Sequence, residues 1–143
     1  MKNIILINML LLVLLWGCGS QTGSDSPGNA INNFVKAVKE KNSNLAWDNL
    51  SDESHKMYDK IAANTNRTGK QYFEVSMEDP NSLGVLADNY EVVEEKVDGD
   101  KATIIIKTST GQSNELYAVK ENGGWKFDYS RSIQESMKEK GTP

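Results

Sequence analysis

Hydrophobic and polar positions change their spacing along this chain. An apolar run, interrupted only by Asn8, occupies residues 4–16. From residue 27 the apolar residues recur three and four positions apart, which is the period of an amphipathic helix. From Tyr90 onward they alternate with polar residues, which is the period of a β-strand. The pattern predicts an apolar leader, then a helical half, then a sheet half.

The helical half is predicted to begin at Ser26 and Pro27, because serine caps helices and proline suits their first turn. One face of this first helix is apolar, formed by Ile31, Phe34, Val35 and Val38. A short second helix is expected over residues 45–50. Ser51 should cap a third helix over residues 52–64, whose apolar face would be Met57 and Ile61, extended by Tyr58 and Ala62. Residues 71–77 fit a helix or a strand, and we favour a short helix.

The sheet half is predicted to be an antiparallel meander of four strands. Gly99 can adopt a positive φ, so residues 98–100 are read as the first hairpin turn. The second strand, residues 101–109, has apolar residues on both faces, which predicts cover on both sides. Residues 132–143 are expected to form a frayed tail. Helices followed by an antiparallel meander predict an α+β domain, with the N-terminal helices packed on one face of the sheet.

The leader has the order of a secretory signal peptide: Lys2, the apolar run, then small residues. The run is shorter than the ~20 residues that a membrane-spanning helix needs. Residues 15–18, Leu-Trp-Gly-Cys, resemble the bacterial lipobox. The resemblance implies a signal peptide over residues 1–17, cleavage between Gly17 and Cys18, and a diacylglycerol with further acylation, such as palmitate, on Cys18. Two or more acyl chains on one cysteine would anchor a protein stably in a membrane.

The resemblance to the lipobox also implies a cellular location. It implies the bacterial cell envelope, with the protein attached to the membrane through lipid on Cys18. Gly19, rather than aspartate, follows the cysteine, which resembles the pattern for the outer membrane in a two-membrane cell. In a one-membrane cell the protein would be located on the outer face of the plasma membrane. Residues 18–29 are then the lipidated cysteine and a flexible polar tether, and residues 30–131 form one domain.

Charge and composition exclude several function classes. The net charge is −4, the charges are mixed in sign, and there is no lysine- or arginine-rich run, so we expect no nucleic-acid partner. The single cysteine and single histidine exclude a zinc site built from those residues. Residues 98–100 lack the other ligands of a calcium loop. We therefore expect no metal and no cofactor.

Two short motifs carry a family resemblance. They are Ala46-Trp47-x-x-Leu50-Ser51, and a final strand containing Gly124-Trp125-Lys126. Together with the apolar first helix, they resemble bacterial lipoproteins of the nuclear transport factor 2-like superfamily, and within it a small subfamily of unknown function. The resemblance implies a cone, in which a bent antiparallel sheet wraps around N-terminal helices.

Six aromatic residues could line a cavity in such a cone or simply pack its core: Trp47, Tyr58, Tyr72, Trp125, Phe127 and Tyr129. An isomerase- or dehydratase-like site would need a buried acid beside a tyrosine or histidine. His55 lies three residues before Tyr58, but the aspartates fall in capping or exposed positions. We therefore expect a non-catalytic binding or scaffolding domain, with a protein partner or a homodimer through the Tyr117–Val119 face of the sheet. The alternatives are a carrier of a small apolar ligand and, less favoured, an isomerase- or dehydratase-like enzyme.

Overall fold

The structure, a computed structural model, describes residues 23–141, so Gly17 and Cys18 lie outside the described residues. Within that range the chain forms five α-helices and one four-stranded antiparallel sheet of order β1-β2-β3-β4. The helices are α1 (Pro27–Lys39), α2 (Ser43–Asp48), α3 (Asp52–Ala62), α4 (Gly69–Ser76) and α5 (Tyr129–Lys140). The strands are β1 (Tyr90–Asp98), β2 (Lys101–Thr108), β3 (Ser113–Glu121) and β4 (Gly124–Phe127). The predicted α+β class is confirmed.

Local capping signals fix where the helices begin. Ser26 caps α1, its Oγ accepting a hydrogen bond from Asn29 N at 3.2 Å. Ser51 caps α3 in the same way, through Ser54 N. Thr68 and Gln71 form a reciprocal capping box at the start of α4, which satisfies two backbone N–H groups at once. This box explains why the ambiguous residues 71–77 are mainly helical, as predicted.

The core lies between α1 and one face of the sheet. Ile104 on β2 pairs with Leu116 on β3, and both side chains are buried. Ile31 and Phe34 on α1 pack into the same cluster. The alternating burial along β2 and the buried stripe of α1 match the two periods seen in the sequence. The core therefore joins the helical half to the sheet half.

The prediction of a frayed tail over residues 132–143 is wrong for residues 132–140, which belong to α5. Asp128 caps this helix by accepting from Arg131 N at 3.1 Å. Tyr117 N donates to Ser132 Oγ at 3.1 Å, and the Arg131 guanidinium lies 4.2 Å from the centre of the Tyr117 ring. Tyr117 alternates with the core residues of β3, so α5 covers the opposite face of the sheet. Because polar contacts hold α5 in place, the sequence of this helix shows little apolar periodicity.

The predicted tether over residues 18–29 is also too long. Ser24 pairs with Trp125, donating to its carbonyl at 2.9 Å and accepting from its N–H at 2.8 Å. Asn33 Nδ2 donates to Ser24 Oγ at 2.9 Å. Backbone and side-chain hydrogen bonds, rather than apolar burial, tie this polar segment to the domain, and composition alone does not reveal them. The folded unit therefore includes Ser24 and does not begin at residue 30.

The buried face of α3 is displaced by one position from the prediction. Ser54, Tyr58 and Ala62 are buried, whereas Ile61 is 45% exposed. Ser54 tolerates burial because its Oγ bonds Ser51 Oγ at 2.9 Å and accepts from Ser130 N at 3.2 Å. A buried serine with partners therefore replaces the apolar residue that the periodicity favoured.

Candidate functional site

An aromatic cleft opens between the helices, and we use that name for the following set of residues. It lies between α1, α3, α4 and the start of α5, with the turn at residues 79–83 at its mouth, and its volume is about 360 Å³. Its lining residues are Phe34, Val38, Tyr58, Tyr72, Phe73, Ser76, Met77, Asp79, Ser82, Leu83 and Tyr129. The turn continues into a short 3₁₀ helix, Gly84–Leu86, whose Leu86 is buried in the core.

The rings of the cleft form a connected wall. Tyr58 meets Phe73 edge to face, with ring centres 5.2 Å apart and planes at 72°. Tyr58 and Tyr129 are nearly parallel, at 5°, with their centres 6.3 Å apart. Phe34 joins this group through Phe73 at 6.4 Å and Tyr129 at 6.2 Å. Edge-to-face pairs of this kind fix ring orientation more firmly than aliphatic packing does.

The phenols of Tyr58 and Tyr129 are buried in the cleft and stay neutral at physiological pH. Burial raises the pKa of Tyr58 well above its usual value of 10, and burial also raises the pKa of Tyr129. Asp79, in contrast, is exposed at the mouth and accepts from Asn81 N at 2.8 Å. The cleft therefore combines a neutral aromatic wall with one carboxylate at its entrance.

The six aromatic residues named from the sequence separate into two groups. Tyr58, Tyr72 and Tyr129 line the aromatic cleft, whereas Trp125 and Phe127 lie in the core under α1. Trp47 is partly buried and lies beside the cleft, with its ring 5.5 Å from that of Phe73 and 6.0 Å from that of Tyr58. Sequence reasoning missed Phe34, Phe73 and Asp79 as lining residues. The apolar face of α1 was the available signal for Phe34.

His55 does not pair with Tyr58. Its ring stacks on Trp47 at 4.1 Å with planes at 12°, and Nε2 lies 2.9 Å from the Trp47 carbonyl oxygen. Each aspartate considered as a base is exposed: Asp48, Asp52, Asp59, Asp79 and Asp88. Between residues 23 and 141 there is no group of three or more His, Cys, Asp or Glu side chains placed to hold a metal ion. Acid–base chemistry therefore has no buried donor–acceptor pair among these residues.

A second, polar cleft of about 750 Å³ lies beside α3 and the end of β3. Two of its charged groups, Glu121 and Lys126, bind backbone groups of the protein. Both oxygens of Glu121 accept from Asp52 N at 3.2 Å, and burial raises the pKa of Glu121. Lys126, nearly buried, donates to the Asp48 carbonyl oxygen. Because these groups already have partners, the polar cleft offers a ligand less than the aromatic cleft does.

Comparison with known proteins adds no identification: no protein family, no curated protein and no solved structure matches this chain. None of the helices described between residues 23 and 141 has the length and apolar character needed to cross a membrane. The sequence motifs and the geometry of the aromatic cleft are therefore the basis for assigning a function.

Proposed function

We propose that this protein is a lipid-anchored protein of the bacterial envelope whose nuclear transport factor 2-like domain binds without catalysis. We further propose that the aromatic cleft holds a small apolar ligand. The observation that carries the proposal is the cleft itself. At about 360 Å³ it is within the range of small-molecule sites, ~300–1,000 Å³, and its wall is mainly aromatic and aliphatic.

The position of the domain supports a role at the membrane. Five residues, 19–23, separate Cys18 from Ser24, the first residue bonded to β4. A chain extends at most ~3.3–3.6 Å per residue, so Ser24 would lie within about 22 Å of the lipidated Cys18. A carrier held so close to the membrane surface could exchange an apolar ligand with it over a short distance.

A protein partner is the second candidate function, and one observation favours it. β1 is an edge strand of the described sheet, and it exposes Val93 and Val97, which are 49% and 56% accessible. Such an edge can pair with another chain. Because α5 covers Tyr117, a homodimer through the sheet would use the β1 side rather than the Tyr117–Val119 face. The isomerase- or dehydratase-like alternative has weaker support, because each aspartate considered as its base is exposed: Asp48, Asp52, Asp59, Asp79 and Asp88.

Ligand binding can be tested with a neutral fluorescent probe, N-phenyl-1-naphthylamine, whose emission rises in apolar sites. Ser82→Phe places a ring at the mouth of the aromatic cleft, and Ser109→Phe makes the same change in an exposed turn outside it. We expect the wild-type chain and Ser109→Phe to bind the probe, and Ser82→Phe to bind it at least about tenfold more weakly. Equal binding by all three proteins would contradict the proposal.

The anchor can be tested by mass spectrometry of the N-terminal peptide isolated from bacterial membranes. The proposal predicts that residues 1–17 are absent and that Cys18 carries a diacylglyceryl group with further acylation. Cys18→Ala should retain residues 1–17 and carry no lipid. An unmodified Cys18 at the mature N-terminus would refute the lipid anchor and leave the question of the aromatic cleft open.

A further inference from the structure

We infer that the aromatic cleft recognises a methylated ammonium cation, the group found in quaternary ammonium compounds. This inference rests on the proposed function, that the cleft binds a small ligand, and it adds the charge and chemical class of that ligand. Aromatic walls and an entrance carboxylate carry it together.

The walls favour a cation that is also apolar. Three tyrosines and two phenylalanines line the cleft, and the faces of such rings carry a partial negative charge. A quaternary ammonium group is attracted to those faces, and its methyl groups pack on them as an alkyl group would. The buried phenols of Tyr58 and Tyr129 are neutral. Their rings would therefore attract a cation through the negative π faces rather than as anionic counter-ions.

The lining of the cleft holds charge of one sign. Among its described residues Asp79 is the one acidic side chain, and none is a lysine or an arginine. The C-terminal end of α4, at Ser76 and Met77, borders the same space. Helix C-termini carry a partial negative charge that favours cations. An anionic ligand would meet only unfavourable charge here, whereas a cation would be attracted by both features.

Hydrogen-bonding capacity distinguishes a methylated cation from a primary amine or a guanidinium group. Those groups need several acceptors when they leave water. In the cleft the Ser76 hydroxyl already donates to the Phe73 carbonyl at 2.7 Å, and the same carbonyl accepts from Met77 N at 3.0 Å. Asp79 is the one carboxylate among the described residues of the lining. A cation without N–H donors loses little by entering this site.

A matched pair of probes tests the inference. Choline and 3,3-dimethyl-1-butanol have nearly the same shape, but only choline is charged. We would titrate each by calorimetry into the full chain held in nanodiscs of phosphatidylethanolamine and phosphatidylglycerol, which contain no choline, with empty nanodiscs as the blank. We expect choline to bind at least about tenfold more tightly than the neutral alcohol.

Two pairs of variants locate the site. Asp79→Asn should lower choline affinity at least about threefold and leave the alcohol unchanged, whereas Asp88→Asn, an exposed aspartate outside the cleft, should change neither. Tyr72→Leu should weaken choline binding, whereas Tyr90→Leu, a partly buried tyrosine outside the cleft, should not. Circular dichroism checks the fold of each variant, and Asp79→Asn decides the test if Tyr72→Leu is unfolded.

The outcomes separate the inference from the proposed function. Equal affinity for choline and the alcohol, or no effect of Asp79→Asn, would overturn the inference while leaving an apolar-ligand site in place. Binding of neither probe by a chain that still binds N-phenyl-1-naphthylamine would also overturn the inference alone. If the naphthylamine fails to bind as well, the proposed function fails with it.

Discussion

The substitution Gly69→Ala is a sharp test of how α4 is held against α3. Gly69 is the first residue of α4, and its N–H donates to Asp59 Oδ1 at 3.1 Å. A Cβ at this position would lie 2.6 Å from Asp59 N and 2.9 Å from Tyr58 C, which are backbone atoms of α3. Because backbone atoms cannot rotate away as a side chain can, the two helices would have to separate locally.

The expected magnitude follows from two opposing effects. Overpacking of this kind costs about 1–3 kcal/mol, and weakening the bond to Asp59 adds up to about 1 kcal/mol. Replacing glycine by alanine in a helix recovers about 0.4–1 kcal/mol through the unfolded chain. We therefore expect Gly69→Ala to lower the free energy of unfolding by about 2 kcal/mol, the middle of the range of about 0–4 kcal/mol that these effects span.

Gly28→Ala is the matched control, because Gly28 also lies in the first turn of a helix and also donates to a carboxylate, Glu95 Oε1 at 3.1 Å. There the new Cβ would meet the end of the Glu95 side chain, which can move aside. We expect a change within about 1 kcal/mol. Urea unfolding followed by circular dichroism measures both variants. If Gly69→Ala were as stable as the wild type, the predicted clash between α4 and α3 would be refuted. A smaller loss of stability in Gly69→Ala than in Gly28→Ala would refute it as well.

Three further predictions concern polar groups. Ser51→Ala should lower the free energy of unfolding by about 1–3 kcal/mol in urea, since it removes a fully buried cap, and by more than Ser26→Ala does. Burial raises the pKa of Tyr90 to about 12, so the unfolded chain loses this proton first and stability falls between about pH 10 and 12. Tyr90→Phe should make that fall shallower in urea unfolding at alkaline pH. Burial also raises the pKa of Glu121, so the stability of Glu121→Gln relative to the wild type should increase as the pH rises above the ordinary pKa of a glutamate, about 4.3.

Each of these predictions has a contrary result. Equal losses for Ser51→Ala and Ser26→Ala would show that the buried cap contributes no more than a surface cap. Parallel alkaline curves for Tyr90→Phe and the wild type would show that this phenol titrates normally. A constant or shrinking difference for Glu121→Gln would show that the hydrogen bonds from Asp52 N outweigh burial at this carboxylate.

Local signals in the sequence were enough to predict most of the elements. Ser26, Ser51 and Gly99 act within a few residues of themselves, so the two helix starts and the first hairpin could be predicted. α5 was not predicted although Asp128 is a local cap for it, because the contacts that hold it run from Ser132 and Arg131 to Tyr117 on β3. Distant contacts of polar residues leave no periodic pattern.

The site was predictable only in part, for a related reason. Aromatic residues were expected to line a cavity or fill a core, and the structure uses Tyr72 for the first and Phe127 for the second. That division depends on how α4 and β4 pack, which spacing does not encode. Asp79 follows α4 in a polar turn, and its place at the mouth of the aromatic cleft is likewise set by tertiary structure.

Native mass spectrometry of the protein isolated from its original membranes tests whether the aromatic cleft is a ligand site. We predict that the protein carries a small molecule bound without a covalent bond. Ser82→Phe should lose this molecule, and Ser109→Phe should retain it. A wild-type chain that carries no adduct, or an adduct retained equally in Ser82→Phe, would contradict the claim that the aromatic cleft is a ligand site.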